Sequence, residues 1–338
     1  MKTDILVTGG LGFIGSHTAV SLVEAGYNPI LLDNLSNSNM GVLDGLEKIL
    51  GEKPVFIQGD VNDAAMYHSI FTKYNIAAVI HFAAFKAVGE SVAEPLKYYH
   101  NNVVGLVSLL QAMQQYRVDK LVFSSSCTVY GEPDTAPVTE ETPLKPAISP
   151  YGATKQMGET ILRDLHNCKT QCLRYFNPIG AHPTGFIGEL PLGVPSNLIP
   201  YLTQSVAGLR PALTIHGNDY STPDGTCIRD YIHVCDLADA HVAALKRLIA
   251  GKNESYFEVY NLGTGTGSSV LDVVNTFKEA TGIDAQVQFG PRRPGDVVKV
   301  WADVHKAAEK LGWKTQRNLK QMLADAWNWQ KMLGEQKH

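Results

Sequence analysis

Neither a strong excess of one charge nor a long apolar run occurs in this sequence of 338 residues. Its 29 Lys and Arg against 33 Asp and Glu give a formal net charge of −4, which does not indicate binding to nucleic acid or to an acidic membrane surface. No apolar segment approaches the roughly 20 residues of a membrane-spanning helix. Met1 to Thr8 leads directly into an apolar strand and does not resemble a signal peptide. We therefore expect a cytoplasmic protein that binds neither nucleic acid nor membrane.

Cysteine is scarce, and its spacing indicates no special chemistry. The cysteines are Cys127, Cys168, Cys172, Cys227 and Cys235. Their number is odd and the paired CxxC spacing is missing, which argues against a disulfide framework and against a zinc site. The histidines show no metal-ligand spacing either. We expect no metal, and we interpret Cys168 and Cys172 as buried or bystander thiols.

The first half of the chain alternates short β-branched runs with stretches long enough for helices. With 44% hydrophobic and 18% charged residues, the chain can bury a large core and a smaller one. The predicted strands are Ile5 to Val7, Pro29 to Leu32, Val55 to Gln58, Ala78 to Phe82, Lys120 to Ser124 and Leu173 to Phe176. Such alternation is typical of an α/β fold. We predict a Rossmann doubly wound parallel sheet with a smaller C-terminal α/β substrate domain.

The two predicted domains interleave along the chain. Residues 1–176 form the predicted dinucleotide-binding domain, and residues 230–262 return to it with a helix over Asp230 to Leu248. The substrate domain takes residues 177–229 and 263–338. Its first part is rich in Gly, Pro and Asn, which predicts loops and short elements. Its second part has predicted helices near Val270 to Ala280, Val304 to Leu311 and Leu319 to Met332.

A glycine-rich turn follows the first predicted strand. It contains Gly9, Gly12 and Gly15, with Phe13 and Ile14 between the last two, and it opens a helical segment. Such a turn lets backbone N–H groups and a helix N-terminus approach a pyrophosphate closely. Taken alone, the pattern also fits an ordinary tight βα turn. The strand before it and the helix after it favour dinucleotide binding.

Acidic residues follow the next two strands. Asp33 stands eighteen residues beyond the last glycine of the turn, where a carboxylate can accept hydrogen bonds from the adenosine ribose and repel a 2′-phosphate. Asn34 joins the same predicted site, and the absence of Arg from residues 33–59 favours NAD over NADP. Asp60 and Val61 are candidates for contact with adenine. An Asp at this place is also a common helix N-cap.

Tyr151 and Lys155 stand four residues apart, on one face of a predicted helix that Ser149 and Pro150 introduce. This spacing alone usually marks a solvated helix face. The place of the pair in the chain favours a catalytic role instead. Ser126 closes the preceding strand at the carboxyl edge, where such sheets bind ligands. We predict that Tyr151, Lys155 and Ser126 are catalytic and meet over the nicotinamide, with Tyr151 and Ser126 also contacting the substrate.

A phenol acts as a base near neutral pH only when its pKa is lowered. An unperturbed Tyr has a pKa of about 10, and lowering it by ~3 units takes about 4 kcal/mol of differential stabilisation. Lys155 and the positive nicotinamide ring are the available sources. Tyr151 would then take a proton from a substrate hydroxyl while NAD takes hydride from the same carbon, and Ser126 would hold the oxygen.

Together these motifs resemble the extended short-chain dehydrogenase/reductase family over nearly the whole chain, and within it the enzymes that epimerise nucleotide-linked hexoses. The segments that carry the resemblance are Thr8–Gly15, His81–Ser91, Ser124–Gly131, Arg174–Pro178, Gly225–Tyr231 and Arg292–Asp296. The resemblance implies reversible inversion of C4 of a UDP-hexose through a transient 4-keto intermediate. It also implies tightly bound NAD and a homodimer.

The resemblance implies further binding residues. On the NAD side these are Phe82, Lys86, Asn101 and Phe176. For the nucleotide-sugar they are Asn177, Asn197, Arg229, Arg293 and Asp296. A guanidinium fork suits a diphosphate, and the alternative for both arginines is a surface or interdomain salt bridge.

Two residues of the implied substrate pocket differ from related bacterial enzymes. His216 stands where a Phe is usual near the uracil, and an imidazole can also stack there. Val300 stands where some family members carry Tyr. Because Val is smaller, we expect room for an N-acetyl group at C2, so that UDP-N-acetylhexosamines are also substrates. The alternative is that Val300 packs in the core of the small domain.

Two other functions remain open on the sequence alone. One is a nucleotide-sugar 4,6-dehydratase or a dehydrogenase of the same family. A dehydratase carries an Asp-Glu pair beside its catalytic Ser or Thr, where this chain has Cys127. The other is an NAD-sensing protein without catalysis, which would be expected to lose Tyr151 or Lys155. Turnover without added NAD separates an epimerase from a dehydrogenase.

Overall fold

The structure is a computed structural model that describes residues 2–293 and 296–335. The strands are β1 (Thr3–Thr8), β2 (Tyr27–Asp33), β3 (Val55–Gln58), β4 (Ile76–His81), β5 (Lys120–Ser126), β6 (Lys169–Tyr175), β7 (Asn177–Ile179), β8 (Leu213–His216), β9 (Ile228–Arg229), β10 (Tyr231–His233), β11 (Phe257–Leu262), β12 (Ser268–Ser269), β13 (Val287–Gly290) and β14 (Lys299–Val300).

The helices are α1 (Phe13–Glu24), α2 (Gly41–Leu50), α3 (Ala64–Lys73), α4 (Val88–Ala93), α5 (Pro95–Tyr98), α6 (Gly105–Gln115), α7 (Pro150–Asp164), α8 (Leu198–Val206), α9 (Val234–Ile249), α10 (Val270–Thr281), α11 (His305–Leu311) and α12 (Leu319–Glu335). A π-helical turn spans Tyr99–Val104 and a 3₁₀ turn spans Cys127–Tyr130.

The large sheet has seven strands in the order β11-β6-β5-β4-β1-β2-β3. All its neighbouring strands pair in parallel. Ile5, Leu6 and Val7 of β1 are fully buried, and they alternate between two hydrophobic clusters. This alternation places helices on both faces of the sheet, with α1 and α9 on one and α3, α6 and α7 on the other. The predicted doubly wound parallel sheet is confirmed.

A smaller region is built around a separate hydrophobic cluster. Its buried side chains come from α8, β8, α10 and α12, and they include Leu202, Phe277 and Leu323. Short strands join it in three small sheets, β12-β9-β14, β13-β8 and β10-β7. This region faces the carboxyl edge of the large sheet through β9 and α8, whose residues line the cavity described below.

Three predicted elements differ from the structure. The segment from Asn177 to Thr226 contains α8, whereas only loops and short elements were predicted. The helix predicted from Asp230 begins at Val234, because Tyr231–His233 pair with β7. The region predicted as a small-domain helix over Val304 to Leu311 forms α11, which packs against β11 of the large sheet and against α9. The domain boundaries at residues 176 and 262 stay predictions.

The cysteines are all free, and Cys168 and Cys172 are buried. Within residues 2–293 and 296–335, no helix combines the length and apolar character required to cross a membrane.

Candidate active site

A cavity of ~720 Å³ lies at the carboxyl ends of the large-sheet strands, where the strand order reverses between β1 and β4. The predicted site residues that line it are Gly9, Gly12, Phe13, Ile14, Gly15, Asp33, Phe82, Lys86, Ser126, Tyr151, Lys155, Phe176, Asn177, Asn197, His216, Arg229, Arg293 and Asp296. A single cavity therefore brings together residues that are far apart in the chain.

The glycine turn has the close backbone approach that a pyrophosphate site needs. Gly9 has φ +69°, and a Cβ there would lie 2.8 Å from the backbone nitrogen of Ala83. A Cβ at Gly15 would lie 2.2 Å from the carbonyl oxygen of Gly9. Gly12 is the N-cap residue of α1, so no side chain covers the first N–H groups of the helix. The helix N-terminus thus faces the cavity and fits a dinucleotide.

Asp33 is held by three donors at the end of β2. Its Oδ2 accepts from the backbone N–H of Leu11 at 3.0 Å. Its Oδ1 accepts from the backbone N–H of Leu35 at 2.9 Å and from Ser38 Oγ at 2.8 Å. These bonds fix the carboxylate at the cavity wall, where it can accept hydrogen bonds from the hydroxyls of a ribose.

Three further predicted cofactor-binding residues border a small hollow of ~50 Å³ next to the main cavity. Asn34, Val61 and Asn101 line this hollow. Asp60 lines neither the cavity nor the hollow. It accepts a hydrogen bond from Asn34 Nδ2 at 2.9 Å and so fixes Asn34, which lines the hollow. The N-cap of α3 is Asp63, which accepts from Ala65 N. The N-cap alternative for Asp60 is therefore wrong, and its contact with adenine stays a prediction.

The three predicted catalytic residues converge on the cavity. Ser149 caps α7 by accepting from Gly152 N at 3.2 Å, and the helix then places Tyr151 and Lys155 on one face. The Lys155 ammonium donates to the carbonyl oxygen of Ser124 at 2.6 Å and lies 5.9 Å from the centre of the Tyr151 ring. Ser126 ends β5 beside them.

Burial pushes the phenol and the ammonium toward their neutral forms. It raises the pKa of Tyr151 to about 12, while hydrogen bonding to Ser126 acts in the opposite direction. It lowers the pKa of Lys155 to about 8, against the charges of Cys172 and Glu159. The Lys155 ammonium lies beside the Tyr151 ring, and its effect on the phenol, like that of the nicotinamide charge, stays a prediction.

Two arginines and a carboxylate occupy the wall of the cavity formed by the smaller region. Arg229 lies 3.7 Å and Arg293 lies 3.0 Å from Asp296 Oδ1. Because both guanidinium groups share one carboxylate and also line the cavity, the salt bridges orient them rather than remove them from the site. His216 lines the same wall, and its Nδ1 lies 3.3 Å from the carbonyl oxygen of Pro291.

Val300 is placed differently from the expectation that it faces the sugar. It pairs with Arg229 in the β14–β9 ladder and is 7% exposed. Its side chain lies in a buried cluster with Tyr130, Phe176 and Ala302, and it is not among the described residues that line the cavity. The geometry thus favours packing in a core, in the same cluster as Phe176.

Several residues that line the cavity were not predicted from the sequence. Ser36, Asn37 and Ser38 follow Asp33 and border the predicted ribose site. Their run of small polar side chains after a strand was the available signal. Ile199 and Tyr201 come from α8, which was not predicted, so no sequence pattern placed them at the site.

Comparisons with known proteins agree on one family. A family model described as GDP-mannose 4,6 dehydratase matches residues 6–326. The UDP-glucose 4-epimerase of Bacillus subtilis (strain 168) is 52% identical over 330 residues, which are 96% of this chain and 96% of that protein. The chain belongs to the UDP-glucose 4-epimerase family.

Solved structures of UDP-glucose 4-epimerases match the fold over nearly its full length. The Bifidobacterium longum enzyme in complex with NAD⁺ and UDP has a TM-score of 0.93 at 46% identity, covering 98% of both chains. The Stenotrophomonas maltophila enzyme with bound NAD and formylated UDP-arabinopyranose has a TM-score of 0.96 at 44% identity, covering 99% of both chains. The predicted family is therefore confirmed.

Proposed function

We propose that the chain interconverts UDP-galactose and UDP-glucose by inverting C4 of the hexose, with NAD retained through the cycle. The observation that carries this proposal is the shared cavity. It is lined by a glycine turn suited to a dinucleotide, by a Tyr, Lys and Ser trio, and by two arginines suited to a diphosphate. The relatives with NAD and either UDP or a UDP-sugar bound support the same assignment.

The proposed chemistry requires one proton acceptor and one anchor for the sugar oxygen. When bound, NAD supplies the hydride acceptor and the positive charge of its nicotinamide ring. Tyr151, as the phenolate, accepts the proton of the C4 hydroxyl, and Ser126 holds the C4 oxygen. Lys155 keeps its ammonium beside them through its bond to Ser124. After the 4-keto sugar has turned its other face, C4 takes the hydride back and Tyr151 returns the proton to the oxygen.

The anchor for the UDP part must stay fixed while the hexose turns. Arg229 and Arg293 meet this need, since each guanidinium is already oriented by Asp296. A planar fork of N–H groups binds phosphate oxygens at two points, which holds the diphosphate against rotation. The hexose is then the mobile part of the substrate.

A dehydratase reaction suits this site less well, although the matching family model carries a dehydratase description. Expulsion of water needs an acid beside the catalytic Ser. The residue there is Cys127, and burial raises the pKa of its thiol to about 11. A non-catalytic NAD-sensing role is opposed by the intact set of Ser126, Tyr151 and Lys155.

The first test is turnover by the purified protein without added cofactor. We expect UDP-galactose to be converted to UDP-glucose, because a hydride removed from C4 must return to the same carbon. A denatured extract of the protein should contain NAD. Activity that depends on added NAD, or an extract with NADP, would contradict the proposal.

We further propose that N-acetylated UDP-hexoses are substrates. The basis is the small side chain of Val300 in the same cluster as Phe176. A Tyr at position 300 would overfill the buried cluster and displace Phe176 toward the cavity. Val300→Tyr should therefore abolish turnover of UDP-N-acetylgalactosamine and spare most turnover of UDP-galactose. Val300→Ile, which adds one methylene, is the matched control and should keep both. No N-acetylhexosamine turnover by the wild type, or equal loss of both activities in Val300→Tyr, would rule out this extension.

We also propose a homodimer, which the exposed apolar side chains of α4, α5, α7 and the π-helical turn support. Val92 is 63%, Leu96 is 81%, Val104 is 45% and Met157 is 44% exposed. These elements pack against one another, so the side chains are available to one partner surface. Light scattering should give the mass of two chains, and Leu96→Glu should give that of one. A wild-type monomer at assay concentration would contradict the dimer.

A further inference from the structure

Glu189 connects the two sides of the cavity through one carboxylate oxygen. Its Oε1 accepts from the Lys86 ammonium at 2.9 Å and from Asn197 Nδ2 at 2.8 Å. Lys86 lies on the proposed NAD side and Asn197 on the proposed nucleotide-sugar side, and both line the cavity. Glu189 does not line it, so it acts on ligands only through these two residues.

The backbone at Glu189 is fixed by α12. The indole N–H of Trp329 donates to the carbonyl oxygen of Glu189 at 3.0 Å. The indole also packs on Gly188, where a Cβ would lie 2.5 Å from the ring. The Glu189 side chain is 11% exposed, whereas that of Lys86 is 46% exposed. The backbone of Glu189 is thus anchored, and its carboxylate is the more buried member of the ion pair.

The contact with Glu189 determines which atom Asn197 offers to a ligand. Asn197 is the N-cap residue of α8, but its side chain does not cap the helix. Because a carboxylate only accepts, the amide NH₂ of Asn197 must face Glu189. Its carbonyl oxygen is then turned away from Glu189, as an acceptor for a hydroxyl or N–H group of the nucleotide-sugar.

The ion pair with Lys86 matters for position rather than for stability. An ammonium that is nearly half exposed gains little free energy from one carboxylate. It does lose freedom, however, because Glu189 holds it at one place on the cavity rim. Any ligand group that contacts Lys86 meets a cation whose position is already restricted.

We propose that Glu189 is a positioning residue that couples the cofactor site to the nucleotide-sugar site. The inference rests on the proposed function, since it assigns the two ligands to Lys86 and Asn197. A ligand that orders either residue also orders the shared carboxylate and, through it, the other residue. The second ligand then binds with a smaller loss of freedom, and this effect is reciprocal.

The test compares Glu189→Gln with Glu279→Gln, a matched change at an exposed position on α10. Calorimetry measures binding of UDP to the protein with its NAD, and gel filtration over time measures release of NAD with and without UDP. In the wild type and in Glu279→Gln, we expect UDP to slow NAD release. In Glu189→Gln, UDP binding should weaken about tenfold, and most of this protection should be lost.

The outcomes separate the coupling from the function it rests on. A Glu189→Gln protein that binds UDP as tightly as the wild type, with full protection of NAD, overturns the coupling alone. The same is true if Glu279→Gln loses protection equally. A wild type that carries no NAD or binds no UDP overturns the proposed function, and the coupling with it. A merely structural role of Glu189 would lower the unfolding temperature of Glu189→Gln without changing how much UDP slows NAD release. This result also overturns the proposal.

Discussion

Tyr151→Phe is expected to lower turnover of UDP-galactose by roughly 10³-fold, while its affinity for UDP-hexose stays within about threefold. The substitution removes only the phenolic oxygen, and the ring is 9% exposed, so its packing is retained. The Lys155 ammonium remains bonded to Ser124, which preserves the shape of the site. Steady-state kinetics and calorimetry with UDP-glucose measure the two quantities.

The matched control for this change is Tyr67→Phe. Tyr67 is also buried, and its hydroxyl has no hydrogen-bond partner among the described residues. It belongs to α3 and to a buried hydrophobic cluster, and it lines neither the cavity nor the small hollow beside it. Tyr67→Phe should therefore keep wild-type turnover. If Tyr151→Phe retained more than about a tenth of wild-type turnover, the phenol would not be the main base.

Gly15→Ala is expected to remove bound NAD and, with it, nearly all turnover. The added Cβ would lie 2.2 Å from the carbonyl oxygen of Gly9, and both groups belong to the backbone of the turn. No side chain can rotate to relieve this overlap, so the turn has to open and lose its approach to the pyrophosphate. The NAD content of a denatured extract and the turnover without added NAD measure the effect.

Gly334→Ala provides the control for the loss of a glycine. Gly334 lies in α12, and its added Cβ would meet nothing within 4 Å. The variant should keep its NAD and its activity, and Ala favours a helix by up to about 1 kcal/mol over Gly. A Gly15→Ala protein that purifies with a full complement of NAD would show that the turn does not hold the cofactor.

Local patterns explain what could be predicted from the sequence. The strands β1 to β5 each contain a short apolar run, so their places were readable without knowledge of their neighbours. The glycines at positions 9, 12 and 15 and the Tyr151–Lys155 spacing are also local. Because parallel strands place their carboxyl ends at one edge, such motifs predict a common site although they are far apart in the chain.

The remaining features depend on contacts between distant parts of the chain. Val300 is a single residue of a two-residue strand, and only its burial in a cluster with Tyr130 and Phe176 shows that it packs in a core. Glu189 stands in a segment of loops, and its role is visible only once Lys86 and Asn197 are beside it. The pKa of Tyr151 likewise depends on burial by several elements, which no spacing in the sequence records.

The fate of the hydrogen at C4 tests the central claim most directly. The purified protein, without added NAD, is incubated with UDP-galactose in D₂O until the two epimers reach equilibrium, and the products are analysed by NMR. The account predicts UDP-glucose that carries ordinary hydrogen at C4, because the hydride leaves and returns without exchange with water. Deuterium at C4 would show that the carbon loses a proton to solvent, and would contradict epimerisation by hydride transfer.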